Sequence, residues 1–425
     1  MNDFNNAIME AGLEDAGYSG NPYTWSNSRL SERIDRAFIN RVWISHFNDT
    51  VISHLDRIGS DHASILIEVK DNNCKVKPSF RFQNMWCKHK DFLEVVRNSL
   101  EQPINSNCPL TSLHLKLKRL KFALSSWNKF WRQKATVKWW KEGDSNINFF
   151  HNAVKKKRKK LNIDKLRNEE GSWISSPEDI ENSGTIFYSN LLKTEGCHFS
   201  DTDFYFIPNL IVDHDNEVLT AVPNLDEVKD AVFSIHKDSA AGPDGFNSGF
   251  FQCCWDIVKD DLLNAARGFF SGYQLDKAYT STLIVLIPKS NEVNTWKDLW
   301  SISLCNVKMK FLSKILVKRL SYFLPKIISP NQTGFVPGRG IVDNILLAQE
   351  VFHTINFDGK GRNIALKLDM EKAYDRVEWN FIIKMLNKFG FSNNFCNLIN
   401  NLISNVWFSI LINGRSTGFL ILQEA

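Results

Sequence analysis

The densest chemistry in the chain surrounds one carboxylate, Asp369. Before it, Ile364, Leu366 and Leu368 alternate with Ala365, Lys367 and Asp369. A period of two predicts a half-buried strand whose polar face carries Asp369. After it, Val377, Phe381, Met385 and Phe389 recur every four residues, with Ile382 and Leu386 beside them and Gly390 next. That spacing predicts a helix with one apolar side, stopped by the glycine. Asp369 is therefore expected where a strand ends, near the turn into a helix. Mg²⁺ is a hard ion that prefers oxygen ligands, and paired ions clamp the attacking and leaving oxygens of phosphoryl transfer. A carboxylate so placed suits that role; a lone Asp equally suits the start of a turn. The string Asp-x-x-x-Ala-Tyr-Asp, from Asp369 to Asp375 and directly after an apolar strand, favours the metal role.

A second kind of chemistry is carried by charge. Lys155, Lys156, Lys157, Arg158, Lys159 and Lys160 are consecutive, and Lys138-Trp-Trp-Lys141 precedes them. Such a run can neutralise phosphates of RNA or DNA without sequence preference. Trp139, Trp140, Phe149 and Phe150 would then stack on bases. Alternatively the aromatics are core, and the cations form a solvated face or a nuclear-targeting signal.

The positioning elements are uneven in clarity. Leu113, Leu117, Leu120, Leu124, Trp127 and Trp131 step by three and four, a helix with a packing seam. Pro78, Pro103 and Pro109 interrupt residues 71–108, which read as an irregular tether. Asp260-Asp261 falls in an amphipathic segment with Ile257, Leu262 and Leu263 and is expected on a solvated face. Trp407 to Gly414 reads as a strand entering an Asn-Gly turn. With 425 residues and 43% apolar content the chain can hold two or three domains with cores. It contains no apolar run long enough for a membrane span and no secretory start. The 8 cysteines make no Cys-x-x-Cys pair, which fits a reduced intracellular setting, nuclear or cytoplasmic, without a zinc site.

Further blocks stand in order ahead of Asp369. They are Ser239-Ala-Ala-Gly-Pro-Asp-Gly-Phe246, Ile284-Val-Leu-Ile-Pro-Lys289, Ile302-Ser-Leu-Cys-Asn-Val307, Arg319-Leu320, and Ser329 to Arg339 with Asp343-Asn-Ile-Leu346. Together they resemble the reverse transcriptase of LINE-type (non-LTR) retrotransposons, of the kind abundant in plant genomes. The resemblance implies the fingers and first palm motif of a right-hand polymerase acting on an RNA template and a DNA primer with Mg²⁺. It gives Asp369 the metal, Tyr374 the screening of the sugar 2′ position, and Lys289 and Arg339 contacts to nucleotide.

The first 70 residues resemble the end of the apurinic-type endonuclease in the same polyprotein, through Tyr23-Thr-Trp-Ser-Asn27, Arg33-Ile-Asp-Arg36, His54-Leu55 and Ser60-Asp-His62. By that resemblance Asp35 orients a catalytic His62, with Asp61 beside it. An Asp that fixes one imidazole tautomer is sound acid/base design; a surface Asp-His pair on a loop is the plainer reading. Asp3-Phe4-Asn5 imitates an upstream nuclease motif, but its distance to Ser60-Asp-His62 is too short, and Asp3 is assigned no role.

The chain also departs from the family. No Tyr-x-Asp-Asp occurs in it, and the resemblance fades from Arg415. Where the family reads Phe-Arg-Pro-Ile-Ser-Leu, this chain has Leu299-Trp-Ser-Ile-Ser-Leu304, so Trp300 replaces an Arg that holds phosphate. Arg offers bidentate, charged donors and Trp a single neutral one. The expected fold is α+β: a partial endonuclease/exonuclease/phosphatase-type sandwich (1–70), a helical basic linker (71–221), and an incomplete right-hand polymerase from 222 to 425. The expected function is a retrotransposon-derived reverse transcriptase domain without activity, Mg²⁺ not being held productively. The alternative is a non-catalytic nucleic-acid-binding remnant that uses the basic linker and fingers.

Overall fold

The computed structural model describes the chain apart from residues 1–3, 5–6, 9, 28, 41, 44–46, 48, 71–78, 143–161, 169, 194–198, 291–292, 356–363, 370–376 and 422–425. The basic run 155–160 and Tyr374 therefore lie outside the described residues. Met1–Pro78 and Ser79–Ala425 form two compact units. No helix among the described residues is long and apolar enough to cross a membrane.

The first unit contains β1 (Leu13–Asp15), β2 (Ser19–Gly20), β3 (Trp25–Ser26), β4 (Ser31–Glu32), β5 (Phe38–Asn40), β6 (Asp49–His54) and β7 (Ile65–Lys70). β1 pairs with β5, β3 with β4, and β2-β6-β7 form one sheet in that order. Its buried apolar side chains, among the described residues, are Val51, Ile52 and Ala63. With so little apolar burial, backbone pairing and polar contacts carry much of its local order.

The second unit opens with α1 (Phe92–Leu100) and the long α2 (Pro109–Glu142). Pro109 is well placed in the first turn of α2, where its missing N–H would have no partner in any case. Leu113, Leu117, Leu120 and Leu124 are all buried, so the predicted seam is real. It packs on the body of the unit, and Lys116 Nζ reaches Asp261 Oδ1 at 2.7 Å. The helical stretch expected to act as a linker is thus built into a core. Asp261 is not on a solvated face: it is half-buried against that lysine. Nor are residues 79–108 a tether, because Phe82, Trp86, Phe92, Val96 and Leu100 enter the same core. Prolines broke the periodicity there without preventing burial, which aromatic packing secures: Phe82 lies 5.4 Å from Trp86 and 5.3 Å from Phe250 between ring centroids.

After β8 (Leu166–Arg167) and β9 (Trp173–Ile174) come α3 (Pro177–Leu192), α4 (Asp213–Thr220), α5 (Leu225–Phe233), α6 (Ser248–Cys253), α7 (Trp255–Phe270) and α8 (Lys277–Thr280). β10 (Ser281–Pro288) and β11 (Leu299–Cys305) precede α9 (Val307–Ser321), α10 (Leu324–Ile327) and α11 (Ile341–Thr354). The end of the chain supplies α12 (Trp379–Phe389), α13 (Asn393–Ile403), β12 (Trp407–Ile412) and β13 (Arg415–Ile421). The sheet order is β11-β10-β12-β13, with β10 and β12 parallel and the other pairs antiparallel. Ile284, Leu286, Ile410 and Ile412 bury one face under Tyr188 and Ile180 of α3. The arrangement is α+β.

Local signals produced the expected elements. Gly390, at φ 96°, ends α12 in the left-handed conformation, and Asn413 and Gly414, at φ 48° and 82°, make a hairpin turn of the primed kind. The strand predicted over 364–369 is absent. These residues are irregular and open to solvent, Leu366 being 83% exposed. Alternation makes a strand only when a neighbour accepts its hydrogen bonds, and no described strand pairs with this one.

Candidate functional site

The Ser239–Phe246 block forms a loop tied to a distant block by one side chain. Asn306 Oδ1 accepts from the Asp244 N–H at 3.0 Å, while its Nδ2 donates to the Ala278 carbonyl at 3.1 Å. Gly245, at φ 87°, passes so close to the Phe80 carbonyl that a Cβ would collide with it, and its own carbonyl accepts from Phe82 N–H at 2.8 Å. The glycines of this block thus serve backbone approach, and Asn306, which spacing did not single out, is what joins the blocks.

Lys289 follows β10, where its Nζ donates to the Lys297 carbonyl at 2.7 Å. The antiparallel register sets Ile287 opposite Trp300 and Pro288 opposite Leu299, so Lys289, just past β10, lies two positions along from the partner of Trp300. Trp300 is 57% exposed, a position where a cation would face solvent or ligand. Arg339 is committed elsewhere: its guanidinium donates to the carbonyls of Gln332 at 2.7 Å, Ile328 at 3.0 Å and Pro325 at 3.2 Å, and also to that of Ser329. In this geometry it ties the end of α10 to the turn that follows it. Asp369 is exposed on the irregular 364–369 segment. Among the described residues no group of three or more His, Cys, Asp or Glu is placed to hold a metal ion. Among the described residues Asp369 is the carboxylate of this motif, and one carboxylate does not make a two-ion site.

In the first unit, the side chains expected to cooperate do meet. His62 Nδ1 donates to Asp35 Oδ2 at 2.8 Å, and that bond is the main cause of a lowered Asp35 pKa. Asp35 is set by its own N–H, which donates to the buried Thr24 Oγ1 at 3.0 Å. A bridge between Trp25 and His62 and the Ala63 N–H bond to the Thr24 carbonyl at 2.6 Å fix the other side. Asp61 faces differently: its Oδ2 accepts from Trp25 Nε1 at 2.8 Å, which lowers its pKa in turn. With Nδ1 donating to Asp35, the Nε2 of a neutral His62 is left as a lone-pair base. Asp15, which no motif marked, clamps the Arg33 guanidinium through two bonds of 2.8 Å and so shapes the Arg33–Arg36 loop. Only the two arginines near it in the same unit could have hinted at that role.

Residues 287–422 match the family described as reverse transcriptase (RNA-dependent DNA polymerase). The chain carries a reverse transcriptase domain. The matched stretch starts in β10 and runs through β13, so the likeness does not fade at Arg415 but reaches the last strand of the sheet. The chain is also similar to the Transposon TX1 uncharacterized 149 kDa protein of Xenopus laevis, 27% identical over 276 residues, which covers 64% of this chain and 21% of the relative. It thus spans about a fifth of the length of that curated relative. Both findings support a non-LTR retrotransposon reverse transcriptase, and neither points to plants.

Proposed function

We propose that the second unit is the fingers and first palm segment of a retrotransposon-derived reverse transcriptase that engages an RNA template and a DNA primer, and that these 425 residues by themselves do not polymerise. The observation that carries the reading is that the matched stretch runs from the end of β10 through β11, β12 and β13 and the helices between them. The second part is supported by chemistry: Asp369 as the exposed carboxylate of the motif among the described residues, no Tyr-x-Asp-Asp in these 425 residues, and Trp300 where phosphate calls for a cation. In this reading Asp369 is a metal ligand, Tyr374 borders the nucleotide sugar, and Lys289 lies beside the nucleotide phosphates. Binding of an RNA/DNA primer-template, followed by fluorescence anisotropy across a salt series, tests the first part. Affinity that falls steeply with salt is expected; failure to bind at low salt would overturn it.

A second reading concerns the first unit and is favoured by the His62–Asp35 bond of 2.8 Å. It is the acid/base end of an apurinic-type endonuclease, with His62 as proton carrier, Asp35 as the group that positions it, and Asp61 beside them.

A further inference from the structure

Three cysteines meet on one flank of the second unit. Residues 82–87 run alongside residues 245–253 in the same direction. The Phe82 N–H donates to the Gly245 carbonyl at 2.8 Å. Two residues on, Asn84 Oδ1 accepts from Asn247 Nδ2 at 3.0 Å, and a Cβ at Gly249 would collide with that oxygen. Asn84–Lys88 form a 3₁₀ turn, so Cys87 stands one turn beyond Asn84 on the same face. Cys253 stands one turn beyond Gly249 on α6. The two faces bring the thiols together, and the Cys87 thiol donates to the Cys253 sulfur. Cys254, the next residue, gives Cys253 a second thiol contact. Cys87 and Cys253 are half-buried, whereas Cys254 is 1% exposed.

The three thiols are unequal. Donation from the Cys254 thiol holds Cys253 below the ordinary thiol range against the opposing effect of burial, and donation from Cys87 lowers it further. Burial pushes Cys87 up, and its contact with a Cys253 thiolate adds to the rise. Cys253 is thus the nucleophile of the group, since the thiolate is the form that attacks a disulfide. Cys254 is the wrong partner for a bond to it: adjacent Cα atoms lie about 3.8 Å apart across a trans peptide, short of the roughly 4.4–6.8 Å that a disulfide spans. We propose that Cys253 and Cys87 are a redox pair that a small-molecule disulfide, of the glutathione disulfide class, converts to a Cys87–Cys253 bond, fastening the chain around Cys87 to α6. The Cys253 thiolate attacks one sulfur of the oxidant, whose S–S bond breaks, and one glutathione thiolate leaves. Cys253 then carries no charge, and the part of the Cys87 rise that came from it is gone. The Cys87 sulfur gives up its proton and attacks the Cys253 sulfur, releasing the second glutathione. Two protein thiols lose two electrons and two protons, and the oxidant takes up both to leave as two glutathione thiols. The pair lies outside residues 287–422, so it stands or falls apart from the polymerase reading.

The test is incubation of the folded full chain with glutathione disulfide at neutral pH, alkylation of the remaining thiols and non-reducing peptide mapping by mass spectrometry. A linked peptide joining Cys87 to Cys253 is expected, lighter than its two parts by two hydrogen atoms and removed by dithiothreitol. Cys87→Ser should leave glutathione on Cys253 as a lasting mixed disulfide, because the resolving thiol is gone. Cys254→Ser should still give the linked peptide, and Cys253→Ser should leave Cys87 without glutathione over the same time. Mapping of the unaltered chain decides the matter even if a variant fails to fold. A lasting glutathione adduct on Cys253 of the unaltered chain would overturn the proposal. So would a Cys253–Cys254 bond, no reaction at either thiol, or a linked peptide that forms only after unfolding in urea.

Discussion

Arg319 looked in the sequence like one cation of an Arg-Leu motif, yet in the structure it is a buried clamp. It is 8% exposed. Its Nε and Nη2 donate to the two carboxylate oxygens of Glu227, each at 2.7 Å, and its Nη1 donates to the Leu219 carbonyl at 3.1 Å and to that of Ala221. One guanidinium therefore ties α9 to α5 and to the end of α4. Breaking a buried pair by removing one partner costs about 3–5 kcal/mol. Glu227 keeps 21% side-chain exposure and can recover some hydration, so the lower end, about 3 kcal/mol, is the better value for Arg319→Met. A unit of roughly 350 residues has an unfolding entropy near ~0.7 kcal/mol/K, which converts that loss to a drop of about 4 °C in Tm. Lys318→Met is the matched control, because its pair with Asp230 is exposed on both sides, at 49% and 64%, and pairs of that kind contribute little. Differential scanning fluorimetry and urea unfolding of both variants measure the contrast. If Arg319→Met lost no more stability than Lys318→Met, the claim of a buried clamp would be wrong. Adding Glu227→Leu to Arg319→Met should recover part of the loss, since no uncompensated carboxylate then remains.

Three other outcomes follow from the geometry. Asp35→Asn should shift the His62 imidazole away from the Nδ1-protonated tautomer, read from its ¹⁵N shifts; an unchanged tautomer would show that Asp35 does not set it. Burial holds the folded-state pKa of Lys308 below its ordinary value, at about 8 against 10.5. The unfolded chain thus binds more protons between those values, and stability should rise with pH through that window. The rise should shrink in Lys308→Met, as measured by urea unfolding from pH 7.5 to pH 10.5; an identical pH slope in both proteins would contradict it. Trp300→Arg, at an exposed position of β11, should leave the melting temperature unchanged and raise affinity for a nucleoside triphosphate. No gain would mean that this edge of the sheet does not face phosphate.

What could be read from sequence was what short-range pattern encodes. The four-residue period of Phe381, Met385 and Phe389, the stop at Gly390 and the Asn413-Gly414 turn all depend on neighbours within a few residues, and all formed as expected. The alternation of Ile364, Leu366 and Leu368 needed a strand from elsewhere, and that dependence was invisible in the segment itself. Asp260 is exposed as expected, whereas Asp261 and the stretch from Ser79 to Cys108 depart from expectation for a related reason: a lysine 145 positions away pairs with Asp261, and Phe82 is buried by contact with Phe250. The Asp35–His62 bond spans 27 positions and became legible only through a whole-motif resemblance. Asn306 stands inside the Ile302–Val307 block and Lys308 just beyond it, with nothing in their residue types to mark burial. Their burial among Asp244, His114 and the α8 carbonyls is a property of the assembled fold.

Primer extension on an RNA template with Mg²⁺, comparing the 425-residue chain with its Asp369→Ala variant, bears most directly on the proposed function. No incorporation by either protein is expected, together with salt-sensitive binding of the primer-template by both. Incorporation by the unaltered chain that Asp369→Ala abolishes would show a completed metal site and contradict the proposal that these residues alone do not polymerise.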